Sequence, residues 1–236
     1  FMSAVMELFI RIPFTKQETH TAIIKMLPED IKNAIRYTAQ HNPVVFCIIA
    51  FAAALNLFLS PLFIIGVPYI LRFTMNCGNV MYGIGLGIIE FATIAGALGA
   101  GVFTKNLKMP HICRPLILIA LVLLPMASAL FPGLRTPGYW LSFALFFVCG
   151  FIGVAAITML SVFAITEVQK RTPAKMLGKT MAIILAVSQI TSPLGQLLYG
   201  FAFRVFSTSA YIPVLMCAGL TLITAFVGKK SFHSVK

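Results

Sequence analysis

The chain has 236 residues, of which 59% are hydrophobic and only 10% are charged, and its formal net charge is +12. A water-soluble domain has about 25% charged residues to cover its surface, so this composition excludes a soluble globule and leaves lipid as the solvent of the apolar surface. The positive charge does not indicate nucleic-acid binding, because the basic residues lie in short segments between long apolar runs instead of one cluster.

The first segment, residues 1–10, is apolar but too short to span a bilayer, and we interpret it as the end of a preceding, truncated transmembrane helix. Residues 11–43 form a polar linker in which Pro28, Glu29 and Asp30 begin an amphipathic helix, with the acids near its positive end. We expect this helix to lie along the membrane surface. Since position 1 is not a methionine, we also expect an N-terminal half to precede the chain.

Six apolar stretches follow within residues 44–228, and a helix that spans about 30 Å of hydrocarbon needs about 20 such residues. They are Val44–Leu71, Val80–Phe103, Pro115–Phe131, Tyr139–Ile165, Met181–Phe203 and Ala210–Val227. The first is long enough to require a tilt or a break near Pro61 or Pro68. The third is short and is interrupted by Pro125. The predicted fold is an all-α integral membrane protein with six transmembrane helices in one bundle, followed by a tail at residues 229–236.

The basic residues sort to one side of these six spans. Fifteen of the 18 lysines and arginines fall in the linker, the second and fourth connecting segments and the tail, which alternation places on one face. Only Arg72, Arg135 and Arg204 fall on the other face. The positive-inside rule therefore predicts a multi-pass protein of the cell membrane with the linker and the C-terminus in the cytoplasm.

Patterns of metal, nucleotide and hydrolytic sites are missing. The five cysteines include no CxxC pair and the four histidines no HExxH pair, so neither a zinc site nor a disulfide framework is predicted. The sequence contains no GxSxG segment and no phosphate-binding loop. We expect no metal, no cofactor and no enzymatic activity.

Three segments carry a resemblance to a known family. The second span ends in Gly96-Ala97-Leu98-Gly99-Ala100-Gly101 and is followed by Lys105 and Lys108. The fourth connecting segment reads Gln169-Lys170-Arg171-Thr172-Pro173, and the fifth span contains Ser192-Pro193-Leu194-Gly195-Gln196-Leu197 and Gly200. Together with six spans after a basic linker, these segments resemble the C-terminal half of a major facilitator superfamily transporter, in the drug-efflux branch that includes macrolide and enterobactin exporters.

The resemblance implies one bundle of a twelve-helix transporter, with the substrate path between this bundle and an N-terminal half. It implies proton-coupled export of amphipathic small molecules of the drug, macrolide or siderophore type. A role in helix packing and conformational change would fall on Gly96, Leu98, Gly99, Gly101, Lys105, Pro193, Gly195 and Gly200. Small residues suit that role because they let helices approach closely in lipid. The alternative function is a non-transporting membrane scaffold, or a half-module that needs a partner half.

Glu90 is the charged residue nearest the middle of a predicted span. A carboxylate at the bilayer centre costs about 2.5 to 3.5 kcal/mol on insertion scales, so such residues face a cavity, pair with a cation or exchange protons. No lysine or arginine lies at comparable depth in the other spans. We predict that Glu90 lies on a proton or substrate path; the alternative is a protonated side chain that hydrogen-bonds a neighbouring helix.

Uncharged polar residues within the spans are further candidates for this path. They are Asn56 and Ser60 in the first span and Gln189, Ser192 and Gln196 in the fifth. The last three recur at helical spacing and fall on one stripe, as expected of a cavity wall. Hydrogen bonds between packed helices explain the same stripe equally well.

Two further expectations concern structure. Glu7 precedes Arg11, and Glu167 precedes Lys170 and Arg171, at spacings that favour ion pairs on one helix face. Phenylalanines of the fourth span are available for an apolar drug pocket, but we expect most of them to face lipid. They are Phe143, Phe146, Phe147, Phe151 and Phe163.

Overall fold

A computed structural model describes residues 43–103, 113–135 and 138–234, all of which belong to one compact unit. The predicted helix stub, the linker helix, Glu7 and Lys105 lie outside the described residues. Within them the chain forms six long helices and a single helical turn at Pro132–Arg135. The long helices are α1 (Pro43–Thr74), α2 (Asn79–Phe103), α3 (Cys113–Ser128), α4 (Tyr139–Arg171), α5 (Ala174–Val205) and α6 (Tyr211–Ser234).

Each helix contains most or all of one predicted span. Five of the six are long and apolar enough to cross a membrane, which indicates a multi-pass membrane protein. The exception is α3, whose 16 residues rise about 24 Å, so the third span is short, as predicted.

Several helix ends differ from the prediction: α5 begins at Ala174, seven residues before the predicted Met181, and α3 ends at Ser128, three residues before the predicted Phe131. α4 continues past the predicted Ile165 to Arg171, because Glu167 pairs with two basic residues on its last turns and these cations favour a helix C-terminus. α6 continues to Ser234, through most of the predicted tail that begins at Lys229. Both charged segments are helical extensions of the spans.

The predicted break in the first span is confirmed. α1 has α-helical geometry over Pro43–Phe58, then widens to π-type turns at Leu62–Gly66 and Ile70–Thr74. Pro61 stands where the first widening begins, and since proline has no N–H it cannot donate to the carbonyl of Leu57 one turn earlier. The regular ladder of α1 is therefore interrupted well inside the membrane-spanning segment.

The helices pack in an order that repeats. The principal contacts join α2 with α4, α1 with α5, α3 with α6, α3 with α4, α1 with α6 and α1 with α4. Exchanging the first three helices for the last three turns the α2–α4 contact into the α1–α5 contact and the α3–α4 contact into the α1–α6 contact. The α3–α6 and α1–α4 contacts each map onto themselves. The packing of the bundle therefore has an internal twofold pattern that relates α1–α3 to α4–α6.

The core lies along the crossings of these helices, and it corrects the expectation that most phenylalanines of α4 face lipid. Phe146 and Phe163 are 0% and 2% exposed, and Phe147 is buried as well. Phe143 and Phe151 are partly buried and pack against the same cluster. The three buried rings fill the bundle interior, where tight packing must hold helices together in lipid.

Candidate functional site

A cavity of about 110 Å³ lies between α1, α4 and α5. Its polar lining consists of Asn56 and Ser60 from α1, Ser161 from α4 and Ser188 from α5, and the remaining lining residues are apolar. None of the lining residues carries a charge. A cavity of this size holds about three or four water molecules, at about 30 Å³ each, or one small hydrogen-bonding group of a larger ligand.

Asn56 joins two of the three helices that form the cavity. Its side-chain Nδ2 donates to the carbonyl of Ala52 on its own helix at 2.9 Å and to Ser188 Oγ on α5 at 3.5 Å. The residue lies about 20 Å along α1 from Pro43, at the rise of an α-helix. An amide at this depth needs a partner, and it supplies a donor and an acceptor to whatever enters the cavity.

The α-helical part of α1 ends at Phe58, and the turn from Asn56 to Ser60, which we call the broken turn, lies just before Pro61. Side chains of α5 and α6 hydrogen-bond to this turn. The Tyr199 hydroxyl donates to the carbonyl of Phe58 at 2.7 Å, and Cys217 Sγ donates to the same oxygen at 3.3 Å. Irregular backbone at membrane depth is tolerated where it is buried in protein or lines a cavity, and both conditions hold here.

The structure brings the two α1 candidates, Asn56 and Ser60, into one cavity but leaves the predicted stripe of α5 outside it. Gln196 Nε2 donates to Ser192 Oγ at 3.3 Å along the helix, and Gln189 is exposed. The sequence reasoning missed Ser188, which the spacing of four residues to Ser192 places on the same side of α5. It also missed Ser161, for which no sequence pattern gave a signal.

Glu90 lies in the middle of α2 and is exposed on the outer side of the bundle. Its neighbours Phe91 and Ile94 are 62% and 55% exposed, so this surface of α2 faces away from the core. Within the part of the chain that the structure describes, no ion pair involves Glu90. Glu90 does not line the cavity formed by α1, α4 and α5.

Two of the predicted packing glycines lie directly against the backbone of a neighbouring helix. A Cβ added to Gly96 would come within 3.0 Å of the backbone of Ala155 on α4, and one added to Gly195 would overlap the carbonyl oxygen of Leu57 on α1. These contacts correspond to each other in the twofold pattern, since α2 packs on α4 as α5 packs on α1.

The other described residues of the predicted packing set do not make a close contact of this kind. A Cβ on Gly99, Gly101 or Gly200 meets no atom within 4 Å among the described residues. Leu98 is 73% exposed, and Pro193 is exposed inside α5. The close approach predicted for the glycine segments therefore rests on Gly96 and Gly195.

The predicted ion pair of α4 is confirmed. Glu167 lies 3.6 Å from Lys170 Nζ and accepts a hydrogen bond from Arg171 Nε at 3.1 Å. This pair is at the end of α4, and none of its three residues lines the cavity. Across the described ranges, no three histidine, cysteine, aspartate or glutamate side chains come together as a metal site would require.

Comparison with protein-family models, with curated proteins and with solved structures finds no match to the chain.

Proposed function

We propose that the chain is one six-helix bundle of a major-facilitator-type secondary transporter, which exports amphipathic small molecules in exchange for protons. The observation that carries the proposal is the internal twofold pattern of the helix contacts. A unit of three spans crosses the membrane an odd number of times, so its second copy is inserted upside down. Inverted repeats of this kind are characteristic of secondary transporters, whose alternating access uses the two related arrangements.

The sequence repeats in register with the contacts. The segment from Gly96 to Gly101 on α2 and the segment from Gly195 to Gly200 on α5 both read G-x-L-x-x-G. In each, the first glycine touches the backbone of the helix that the twofold pattern assigns to it. Agreement between an independent sequence pattern and the packing order supports a true internal repeat over a chance arrangement of six helices.

The broken helix beside a polar cavity supports transport over a scaffold role. Transporters commonly bind substrate near the middle of the membrane, where a discontinuous helix exposes polar groups. Here the interruption at Pro61 adjoins the cavity that contains Asn56 and Ser188. A scaffold has no need of a polar cavity at this depth, since every polar group there must be matched by a partner.

Glu90 is the proposed coupling residue. The same alignment that pairs Gly96 with Gly195 pairs Glu90 with Gln189, and both are exposed near the middle of their helices. A carboxylate on the outer surface of α2 is costly in lipid, so the proposal places a partner bundle, the N-terminal half, against it. The excess of basic residues in the linker and tail supports a position of both on the cytoplasmic side of a cell membrane.

Proteoliposomes with an imposed proton gradient test the proposal. The full protein, including its partner half, should drive efflux of at least one member of a panel of cationic dyes, macrolides and siderophores. No proton-driven efflux of any of them would favour the scaffold alternative.

The Glu90→Gln variant should lose the dependence of efflux on the proton gradient, because the amide cannot exchange a proton. Gln189→Ala is the matched control, since it alters the equivalent position of the repeat without touching a carboxyl, and it should keep that dependence. Full proton dependence in Glu90→Gln would show that coupling uses another group.

A further inference from the structure

One stripe of α5 faces the first interrupted part of α1, from Leu57 to Gly66. Gly195, Tyr199 and Phe203 recur at four-residue spacing, and all three are buried. Gly195 lies against Leu57 and Pro61, and the Tyr199 hydroxyl donates to the Phe58 carbonyl. The Phe203 ring lies 2.8 Å from the point where a Cβ of Gly66 would be.

Of the described contacts that this stripe makes with α1, only that of Tyr199 is a strong hydrogen bond. Its hydroxyl reaches the Phe58 carbonyl at 2.7 Å, while the ring is 6% exposed and packs 6.3 Å from the Phe203 ring. Cys217 offers a second donor to the same oxygen, but at 3.3 Å and from a thiol, which donates weakly.

The accepting carbonyl lies inside the cavity-lining part of α1. Phe58 is between Asn56 and Ser60, which both line the cavity, and it ends the α-helical part of α1. Because the helix ladder is interrupted just after this point by Pro61, the position of this turn is set by contacts from other helices as well as by its own backbone.

We propose that Tyr199 is a positioning residue for the cavity: its bond to Phe58 holds the broken turn of α1 and so fixes Asn56 relative to Ser60. The cavity matters for transport only if the proposed function is right, but the positioning role concerns geometry alone. A test that disproves the positioning role is therefore distinguishable from one that disproves transport.

Cysteine labelling measures the position of this turn directly. Ser60→Cys is introduced in a background with Cys217→Ser, which keeps a donor to Phe58, and with the other native cysteines changed to alanine. The rate of reaction with a small maleimide is followed in detergent micelles, with and without Tyr199→Phe. Removal of the hydroxyl should raise the rate about fivefold, the factor expected when one hydrogen bond no longer opposes opening.

Two comparisons distinguish a specific effect on the position of the broken turn from a general loosening of the bundle. Phe46→Cys, an exposed site near the start of α1, should react at an unchanged rate in Tyr199→Phe. Pro61→Ala restores a backbone donor to the turn, and in that background Tyr199→Phe should change the Ser60→Cys rate by less than about twofold. Tyr211→Phe on α6 is the matched loss of a hydroxyl and should leave the rate unchanged.

An unchanged Ser60→Cys rate in Tyr199→Phe would overturn the proposal. An equal increase at Phe46→Cys, or an equal increase in the Pro61→Ala background, would also overturn it, because the hydroxyl would then act as general packing. If Tyr199→Phe is too unstable to purify, Cys217→Ala in the native Tyr199 background removes the weaker donor, and the proposal then requires a smaller increase confined to Ser60→Cys.

Discussion

Gly195→Ala should destabilise the bundle, whereas Gly200→Ala on the same helix should not. The added methyl group at position 195 would overlap the Leu57 carbonyl and the Pro61 ring, and neither is a flexible side chain that can turn away. Overpacking costs about 1–3 kcal/mol, and the rigidity of the neighbours puts this site at the upper end. Alanine returns about 1 kcal/mol of helix propensity, so the net loss should be about 2 kcal/mol.

At Gly200 the methyl group meets no atom within 4 Å. Only the higher helix propensity of alanine over glycine then affects stability. The Gly200→Ala variant should be as stable as the parent or more stable by up to about 1 kcal/mol. The two substitutions are chemically identical and lie on one helix, so the gap of about 2–3 kcal/mol between them reports the contact with α1 alone.

Equilibrium unfolding in mixed detergent and sodium dodecyl sulfate micelles measures this gap. Helix content is followed by circular dichroism and tertiary structure by the fluorescence of Trp140, the single tryptophan of the chain. Gly96→Ala and Gly101→Ala form the twofold-related pair and should show the same difference. Equal stability of Gly195→Ala and Gly200→Ala would refute the close packing of α5 on α1, and with it the contact pattern on which the internal repeat rests.

Two further substitutions test the core and the ion pair. Phe146→Ala should destabilise the bundle by less than the roughly 3–5 kcal/mol typical of soluble cores, because in lipid only packing is lost, whereas Phe91→Ala at an exposed site should have little effect in the same unfolding assay. Glu167→Gln should reduce stability by no more than about 0.5 kcal/mol, since the side chains of Lys170 and Arg171 are 66% and 40% exposed and water screens their charges. That small loss should shrink further at 1 M salt in a thermal melt. A loss above about 1 kcal/mol would show that the pair, whose Glu167 side chain is 15% exposed, is not screened as a surface ion pair is.

Span positions could be predicted because length and hydropathy decide them. The break in α1 could be predicted as well, since Pro61 removes a donor wherever the helix lies. The extension of α4 was missed because Lys170 and Arg171 resemble a loop in composition, while in the structure they pair with Glu167 on a helix face.

Which side of each helix is buried could not be predicted. In water, the contrast between polar and apolar faces orients a helix, but in lipid both the core face and the outer face are apolar. Phe146 is fully buried and Phe91 is 62% exposed, although both stand in apolar surroundings in the sequence. For the same reason Ser161 and Ser188 could not be assigned to the cavity before the contacts of α1 with α4 and α5 were known.

The two halves of the bundle share their packing pattern, but they differ in the residues at the α1–α5 and α2–α4 crossings. Aligning Leu57 with Ala155 and Gly195 with Gly96, as the contacts require, also assigns a counterpart to each residue of the cavity. Asn56 then corresponds to Val154 and Ser188 to Ile89, so the second crossing has no polar pair.

The helix interruption at Pro61 and the hydrogen-bond donor Tyr199 are also present at the α1–α5 crossing and missing from their counterpart positions. Pro61 corresponds to Met159, which keeps its N–H, and Tyr199 corresponds to Ala100, which has no hydroxyl. Symmetric packing is enough to hold six helices together: among the described residues, α2 and α4 cross with regular α-helical geometry in both helices. The helix interruption, the hydrogen bond of Asn56 to Ser188 and the Tyr199 bond are therefore found together at the α1–α5 crossing, to which the proposed function assigns the substrate path.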